Sequence, residues 1–260
     1  MQSLFNEQPT CTIRGVLSLL IAALSLVAGT VCLADAPGKR SLSVCIIDEP
    51  YWPVSAPDQE LQGQAIVRQA VVRQGGMVRF MPVPWRRCIE GVRAGTYDAA
   101  LGAAANPSYL EFLSFPMKGD QVDSQLAVGR VSTHVLRRRG GDTEWDGKRF
   151  TNLHGPVWHN TNTVALRGRL AALKVPDNEG VKSTQQLLQM LMLRPEDVAL
   201  VRKHDVEDLL LRAPFRDEFE LLPVPFMERD AHFAVRRALY LAEPAYFKQL
   251  WAEIGRLRQP

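Results

Sequence analysis

The chain has 260 residues, of which 46% are hydrophobic and 23% charged, a composition that excludes intrinsic disorder and suffices for one large or two small α/β domains. Net charge is +3, and the basic side chains are scattered apart from Arg137-Arg138-Arg139. A nucleic-acid footprint is therefore not supported.

From Gly15 to Ala34 no side chain is charged, Arg14 precedes the run, and Ala34-Asp35-Ala36 ends it in small residues. This is the pattern of a secretory signal peptide covering residues 1–36, with export to the periplasm. The alternative is an uncleaved membrane anchor, since the run is long enough to span a bilayer. Gly29 and Thr30 dilute it and favour cleavage, and Val31 before Cys32 argues against a lipid-attachment site. Export leaves Cys45 and Cys88 as a pair in an oxidising compartment, where one disulfide is the simplest solution. Two buried free thiols are the alternative. Two cysteines without nearby histidines do not make a metal set.

Leu42–Ile47 is an apolar run rich in Val and Ile, and reads as a first strand. Asp48-Glu49-Pro50-Tyr51-Trp52-Pro53 stops it, because two prolines forbid continued strand or helix. That loop displays two carboxylates and two aromatics at a strand's C-terminal end, the edge where open α/β sheets bind ligands. The carboxylates of Asp48 and Glu49 point to opposite sides of an extended backbone, so adjacency does not make them an acid–base dyad. Either suits a cationic group of a ligand. Leu61–Gln74 carries a helical apolar stripe stopped by Gly75-Gly76, and residues 77–83 read as a second strand. Trp85, Ile89 and Val92 fall three and four apart on a short helix ended by Gly95. The small-residue run Ala99 to Ala105 reads as a buried strand or a close-packed turn. Strand, helix, strand, helix, strand is a parallel α/β lobe.

Asn106-Pro107 breaks the pattern, and residues 108–117 read as a turn with aromatics. Residues 124–136 alternate loosely in β-branched side chains and suit a strand crossing to a second body; residues 137–147 read as a polar, glycine-rich loop. A second α/β unit follows. Residues 156–158 suit a strand, residues 159–163 a turn rich in N-cap residues, and residues 164–173 a helix. Ser183-Thr184-Gln185-Gln186 reads as a capping box opening a helix through Leu193. Residues 198–201 suit a strand, after which Asp205 is expected to cap a helix and leave Lys203 and His204 free. Residues 219–224 and 230–235 read as two strands. Residues 244–258 read as an amphipathic helix with Phe247, Leu250, Trp251, Ile254 and Leu257 on one face.

No dinucleotide glycine fingerprint, phosphate-binding loop, zinc-protease motif or nucleophile elbow occurs. His154 and His159 flank a Gly-Pro turn at a spacing that is not a helical metal pair. No cofactor and no metal are expected.

The phrase Trp85-Arg86-Arg87-Cys88-Ile89-Glu90-Gly91-Val92-Arg93-Ala94-Gly95-Thr96-Tyr97-Asp98 matches W-x6-V-x2-G-x2-D, and Phe150, Leu153 and Gly155 match an aromatic-x-x-L-x-G phrase. Together with the exported start and the acidic-aromatic loop, these resemble the bacterial extracellular solute-binding proteins of family 3, the polar-amino-acid-type periplasmic binding proteins. The resemblance implies a type II clamshell of two α/β lobes with the ligand in the cleft between them. It implies lobe 1 over residues 37–122, lobe 2 with hinge crossings over 123–222, and a C-terminal segment, 223–260, returning to lobe 1. By position it implies Tyr51 and Trp52 as a cleft wall with Trp85 beside them, and backbone groups of Ala104 and Asn106 at the third strand's end. Glu49, Arg86, Asn160, Thr161 and His204, or Asp205 beside it, complete the implied ligand set. Relatives that bind α-amino acids continue after the third strand to T-x-E-R, whose arginine pairs with the ligand carboxylate. Here Asn106-Pro107-Ser108-Tyr109-Leu110-Glu111 has no arginine, which implies an altered ligand.

The function implied is capture of a small polar solute by a monomeric protein for an ABC-type membrane permease. A periplasmic sensing module acting on a membrane receptor is the alternative. A dehydratase-like enzyme on the same fold would need a general acid in the cleft, with Glu49 or His204 the candidates.

Overall fold

The computed structural model of the chain describes residues 40–160 and 164–258. The expected signal segment and Thr161 lie outside the described residues. Among the described residues, no helix is long and apolar enough to cross a membrane.

The first half of the chain alternates as its apolar pattern demands. Strand β1 (Ser41–Ile47) leads to helix α1 (Gln62–Arg73), β2 (Met77–Val83), α2 (Trp85–Ala94) and β3 (Ala99–Ala103). Pro84 starts α2 and Gly95, at φ 84°, ends it. Both β2 and β3 pair parallel with β1. The Asp98 carboxylate fixes the β1–β3 register by accepting from Ser43 N and Ser43 Oγ, both at 2.9 Å. A short helix α3 (Pro107–Leu110), strand β4 (Leu113–Ser114), the hairpin of β5 (Met117–Lys118) with β6 (Gln121–Val122), and a 3-10 turn at Ser124–Leu126 replace the turn expected over 108–117.

Strand β7 (Gly129–Arg138) then runs into the second half. It continues through Arg137 and Arg138, where a loop is expected from the sequence. The reason is local charge: Arg137 is ion-paired with Glu220 at 2.9 Å and Glu144 at 2.7 Å, and Arg138 with Glu218 at 2.7 Å. Strands β8 (Glu144–Trp145) and β9 (Phe150–Thr151) form a small hairpin. Next come β10 (Val157–Asn160), α4 (Val164–Ala172), β11 (Asp177–Val181), α5 (Thr184–Met192), β12 (Ala199–Arg202) and α6 (Lys203–Leu210). The polar sequence of β11, DNEGV, hides an edge strand. Ser183 caps α5 as expected, with Oγ accepting from Gln186 N at 3.2 Å. The Gln186 side chain reaches Lys182 N rather than Ser183 N, so the reciprocal half of the box is displaced by one residue.

Residues 219–236 form one strand, β13 (Phe219–Arg236), not two. Its register against β7 shifts between Leu221 and Met227, where Pro223 and Pro225 cannot donate to the ladder. Helices α7 (Arg237–Ala242) and α8 (Pro244–Arg258) end the fold.

The large sheet runs β11-β10-β12-β7-β13-β3-β1-β2, so β7 and β13 are its two central strands. On the outer strands of each half the pairing is parallel, and α/β units cover both faces. In the first half one core lies under α1 and α8, around Val67, Val71, Leu101, Phe233, Phe247 and Ile254. Another lies under α2, around Cys45, Cys88, Val92 and Phe115. The second half has cores around Leu187, Leu191 and Phe219 on one face and Leu170, Leu200 and Phe226 on the other.

Cys45 and Cys88 are disulfide-bonded, Cα atoms 5.4 Å apart, pinning α2 to β1. The bridge closes a loop 43 residues apart in sequence, and loops of this size stabilise by about 4 kcal/mol in the chain-entropy model. Cys45→Ala/Cys88→Ala is expected to lower the free energy of urea unfolding by about 2–4 kcal/mol. A midpoint and slope unchanged from wild type would contradict a stabilising bridge.

Candidate functional site

The loop after β1 is a built turn. Tyr51 N donates to Ser55 O at 2.8 Å and Ser55 N to Tyr51 O at 3.1 Å. Buried Gln64, in the first turn of α1, anchors it: Oε1 accepts from Ala56 N at 3.0 Å and Leu61 N at 3.1 Å, and Nε2 donates to Ala56 O at 3.2 Å. Losing any of these would strand a buried polar group at about 1–3 kcal/mol. The Tyr51 ring lies on β3 at Gly102, where φ is +97° and a Cβ would stand 3.4 Å from the ring. The positive φ is what demands glycine there, since that contact alone would tolerate a Cβ.

The second half-sheet reaches this turn through Arg202, the last residue of β12. Its guanidinium sits over the Tyr51 ring, 5.3 Å from the centroid, and Nη2 donates to Pro50 O at 3.4 Å. Nε donates to Asp205 Oδ2 at 2.5 Å. The two lobes thus meet here through a cation on an aromatic face, worth about 0.5–2 kcal/mol depending on solvation. Burial pushes the Asp205 carboxyl up, against the opposing pull of Arg202. Burial likewise raises the Tyr51 hydroxyl, against Arg229 and Arg202.

The expected site residues divide. Tyr51 is in the interlobe contact, and Trp52 beside it is 38% exposed. Glu49 is exposed on the same loop, and Ala104 is half-buried just past the end of β3. Asn106 also follows β3, but its Oδ1 accepts from Tyr109 N at 3.0 Å and Ser108 Oγ at 2.6 Å, capping α3. Asn160 ends β10, its Nδ2 donating to Thr184 Oγ1 at 3.4 Å.

Four expectations need correction. Trp85 and Tyr51 lie against different cores: Tyr51 packs on the one under α1, while half-buried Trp85 packs against the one under α2, with Cys88 and Val92, and donates from Nε1 to Tyr109 Oη at 3.1 Å. The stripe of residues 85, 89 and 92 that makes α2 amphipathic lays its half-buried tryptophan against that core. The Arg86 side chain is 89% exposed and paired with Glu90 at 2.9 Å on its own helix. Asp205 is not the cap of α6; Arg202 occupies that position, and Asp205 sits in the first turn bound to it. His204 and Lys203 are not free either, since both lie against Glu207, at 3.1 and 3.8 Å.

Arg202 and Arg229 are the residues that sequence reasoning misses. Arg202 ends a strand in the half-sheet opposite Tyr51, which is a readable signal; Arg229 has none, because its place follows from the pairing of β13 with β7. Away from the interlobe contact, a surface concavity of about 570 Å³ lies along β2 and is lined by Asp58, Glu60, Arg68, Met77 and Phe80. It is open to solvent, and Arg68 and Glu60 pair across it at 2.8 Å.

The Arg202–Asp205 pair has a readable pH signature. An acid whose pKa is raised by folding stabilises the fold in its protonated form. That contribution is complete below the unfolded value of about 3.9 and is lost as pH rises through the folded value. Asp205→Asn is therefore expected to match or exceed wild-type stability at pH 7. Arg202→Gln, which leaves the carboxylate buried without its cation, is expected to cost about 1–3 kcal/mol. Urea titrations of both variants at pH 5 and pH 8 check this; equal losses from the two would contradict it.

No protein-family model matches the sequence, and no curated protein matches it. Solved structures do match. The GluR0 ligand-binding core from Nostoc punctiforme in complex with L-glutamate aligns at TM-score 0.59 and 11% identity, over 83% of this chain and 92% of that one. An ancestral arginine-binding protein bound to arginine aligns at 0.58 and 10%, over 84% and 92%. A histidine kinase sensor domain with similarity to periplasmic binding proteins aligns at 0.60 and 14%, over 85% and 91%. With β7 and β13 joining two α/β half-sheets, the chain has the two-lobed, clamshell fold of the periplasmic binding proteins.

Proposed function

We propose that the chain is a periplasmic solute-binding protein of family 3 that captures a small polar solute between its lobes for an ABC-type permease. The observation that carries this reading is the contact of Arg202 with Tyr51 and Pro50. It puts polar and aromatic groups, rather than an apolar plug, where strand ends of the two half-sheets face each other. Open α/β sheets bind ligands at such edges. Structures of the same fold hold glutamate and arginine, which supports a small polar solute. The Cys45–Cys88 bridge supports an oxidising compartment, in keeping with the expected signal segment. Lobe boundaries near residues 122 and 222, and ligand contacts from Tyr51, Trp52, Glu49 and Asn160, belong to the same proposal.

A sensing role, in which the clamshell reports its ligand to a membrane receptor, is supported by the similarity to a histidine kinase sensor domain. A lyase reading gains nothing. Glu49 is exposed, and the His204 imidazole lies beside Glu207 on the surface of α6; neither is shielded as a general acid needs.

Thermal-shift screening of the purified protein against organic acids, amines, sugars and amino acids tests the proposal. At about 100 times its Kd a solute adds about 2.7 kcal/mol, or several degrees in Tm. At least one small polar solute is expected to do so, and ordinary L-amino acids at micromolar concentration are expected not to. Stabilisation by those amino acids would refute the inference from the missing arginine after β3; a flat response across the screen would refute solute binding.

A further inference from the structure

Among the described residues, every arginine that is at least half-buried has a carboxylate, carbonyl, sulfur or ring partner, except Arg229. Half-burying an unpaired guanidinium costs desolvation with no return. The neighbouring carboxylates do not serve it: Asp230 is held by Arg130 at 2.8 Å, and Glu228 and Asp230, adjacent in the strand, point to the opposite face.

Strand register places this cation. Strands β7 and β13 oppose Thr133 to Met227, Val131 to Arg229 and Gly129 to Ala231, and β12 opposes Arg202 to Thr133. Directly opposed residues, and residues two apart along a strand, share a face. Arg202, Thr133 and Met227 therefore form one row, and Val131 with Arg229 the next. The Tyr51 turn covers the third row, since a side chain at Gly129 would stand 3.2 Å from Val54 and 3.4 Å from Pro53. Arg229 and Arg202 both act on the Tyr51 hydroxyl from this face. Asp205 neutralises Arg202, which leaves the charge of Arg229 over.

We propose that this face of the crossing strands is the floor of the ligand site, and that Arg229, with Arg202 in the adjoining row, binds the carboxylate of a small organic acid. The assignment rests on the solute-binding reading and adds the charge of the solute and the residue that selects it. A carboxylate accepts two parallel bonds from a guanidinium, a geometry that lysine or a neutral amide does not reproduce. The Tyr51 ring and the Met227 side chain offer apolar surface for the carbon skeleton. No unpaired carboxylate shares these rows, so a cationic solute has no partner there.

The test is calorimetric titration of the purified protein with acetate, succinate and glutarate, and in parallel with putrescine, choline and glucose. Wild type is expected to bind at least one of the acids. Arg229→Gln is expected to weaken that acid about tenfold or more, Arg229→Lys to weaken it less, and Arg212→Gln, on an exposed turn, to leave it unchanged. The melting temperature of Arg229→Gln is expected to equal or exceed that of wild type, because an unpaired half-buried cation is removed; this separates loss of the site from loss of the fold. An acid bound equally by wild type and Arg229→Gln overturns the assignment and leaves solute binding intact. Binding confined to putrescine, choline or glucose does the same. Silence from all six probes counts against the carboxylate assignment, and the broad thermal-shift screen then decides the solute-binding reading by itself.

Discussion

The antiparallel pairing of β7 with β13 is the constraint on which the rest of the structure depends. Each half-sheet is an ordinary parallel α/β unit with its own cores on both faces. What makes them one protein is that β13 pairs with β3 through Val235 and Phe233, and with β7 from Ala231 back to Phe219. The register break at Pro223 and Pro225 confines the loss of ladder bonds to the second-half end of that strand. Because directly opposed residues share a face, the same pairing also decides which side chains meet in the middle. It delivers Arg229, Met227 and Thr133 to the face that Tyr51 approaches from one lobe and Arg202 from the other.

Around that centre the structure spends its hydrogen bonds on holding the Tyr51 turn still. Three bonds to the buried Gln64 amide fix the turn to α1, and the ring packs on β3 beside Gly102. The contact from the other lobe is weaker and polar: a stacked guanidinium and one long bond to Pro50 O. A turn fixed on one lobe and a polar touch from the other suit a cleft that has to admit and release a hydrated solute. An apolar seam of the same size would hold the lobes together by burial alone.

Much of the fold was legible in the sequence because local physics wrote it. The Val- and Ile-rich run of β1, the stripe and glycine stop of α2, the Ser183 cap and the apolar face of α8 all follow from periodicity and capping. The disulfide was legible too, because the expected signal segment takes Cys11 and Cys32 and leaves one pair. What failed depended on partners distant in the chain. Strand β7 runs through Arg137 and Arg138 because Glu220 of β13 and Glu218 just before it neutralise them; β11 is polar because it is an edge; Asp205 leaves the cap position for Arg202. The family resemblance implies Trp85 as a cleft aromatic, whereas the amphipathic stripe that defines its helix lays it against the core under α2. Arg229 was invisible because a lone arginine in a strand acquires meaning only when the strand opposite is known.

The most direct measurement is hydrogen exchange of the purified protein with and without the solute that most raises its melting temperature. Protection is expected to rise in the turn at residues 50–56, at the strand end around residues 202–205, and in the crossing strands at 129–133 and 227–231. Protection confined to the concavity along β2, or to the outer faces of the helices, would place the solute elsewhere and contradict a binding cleft built on β7 and β13.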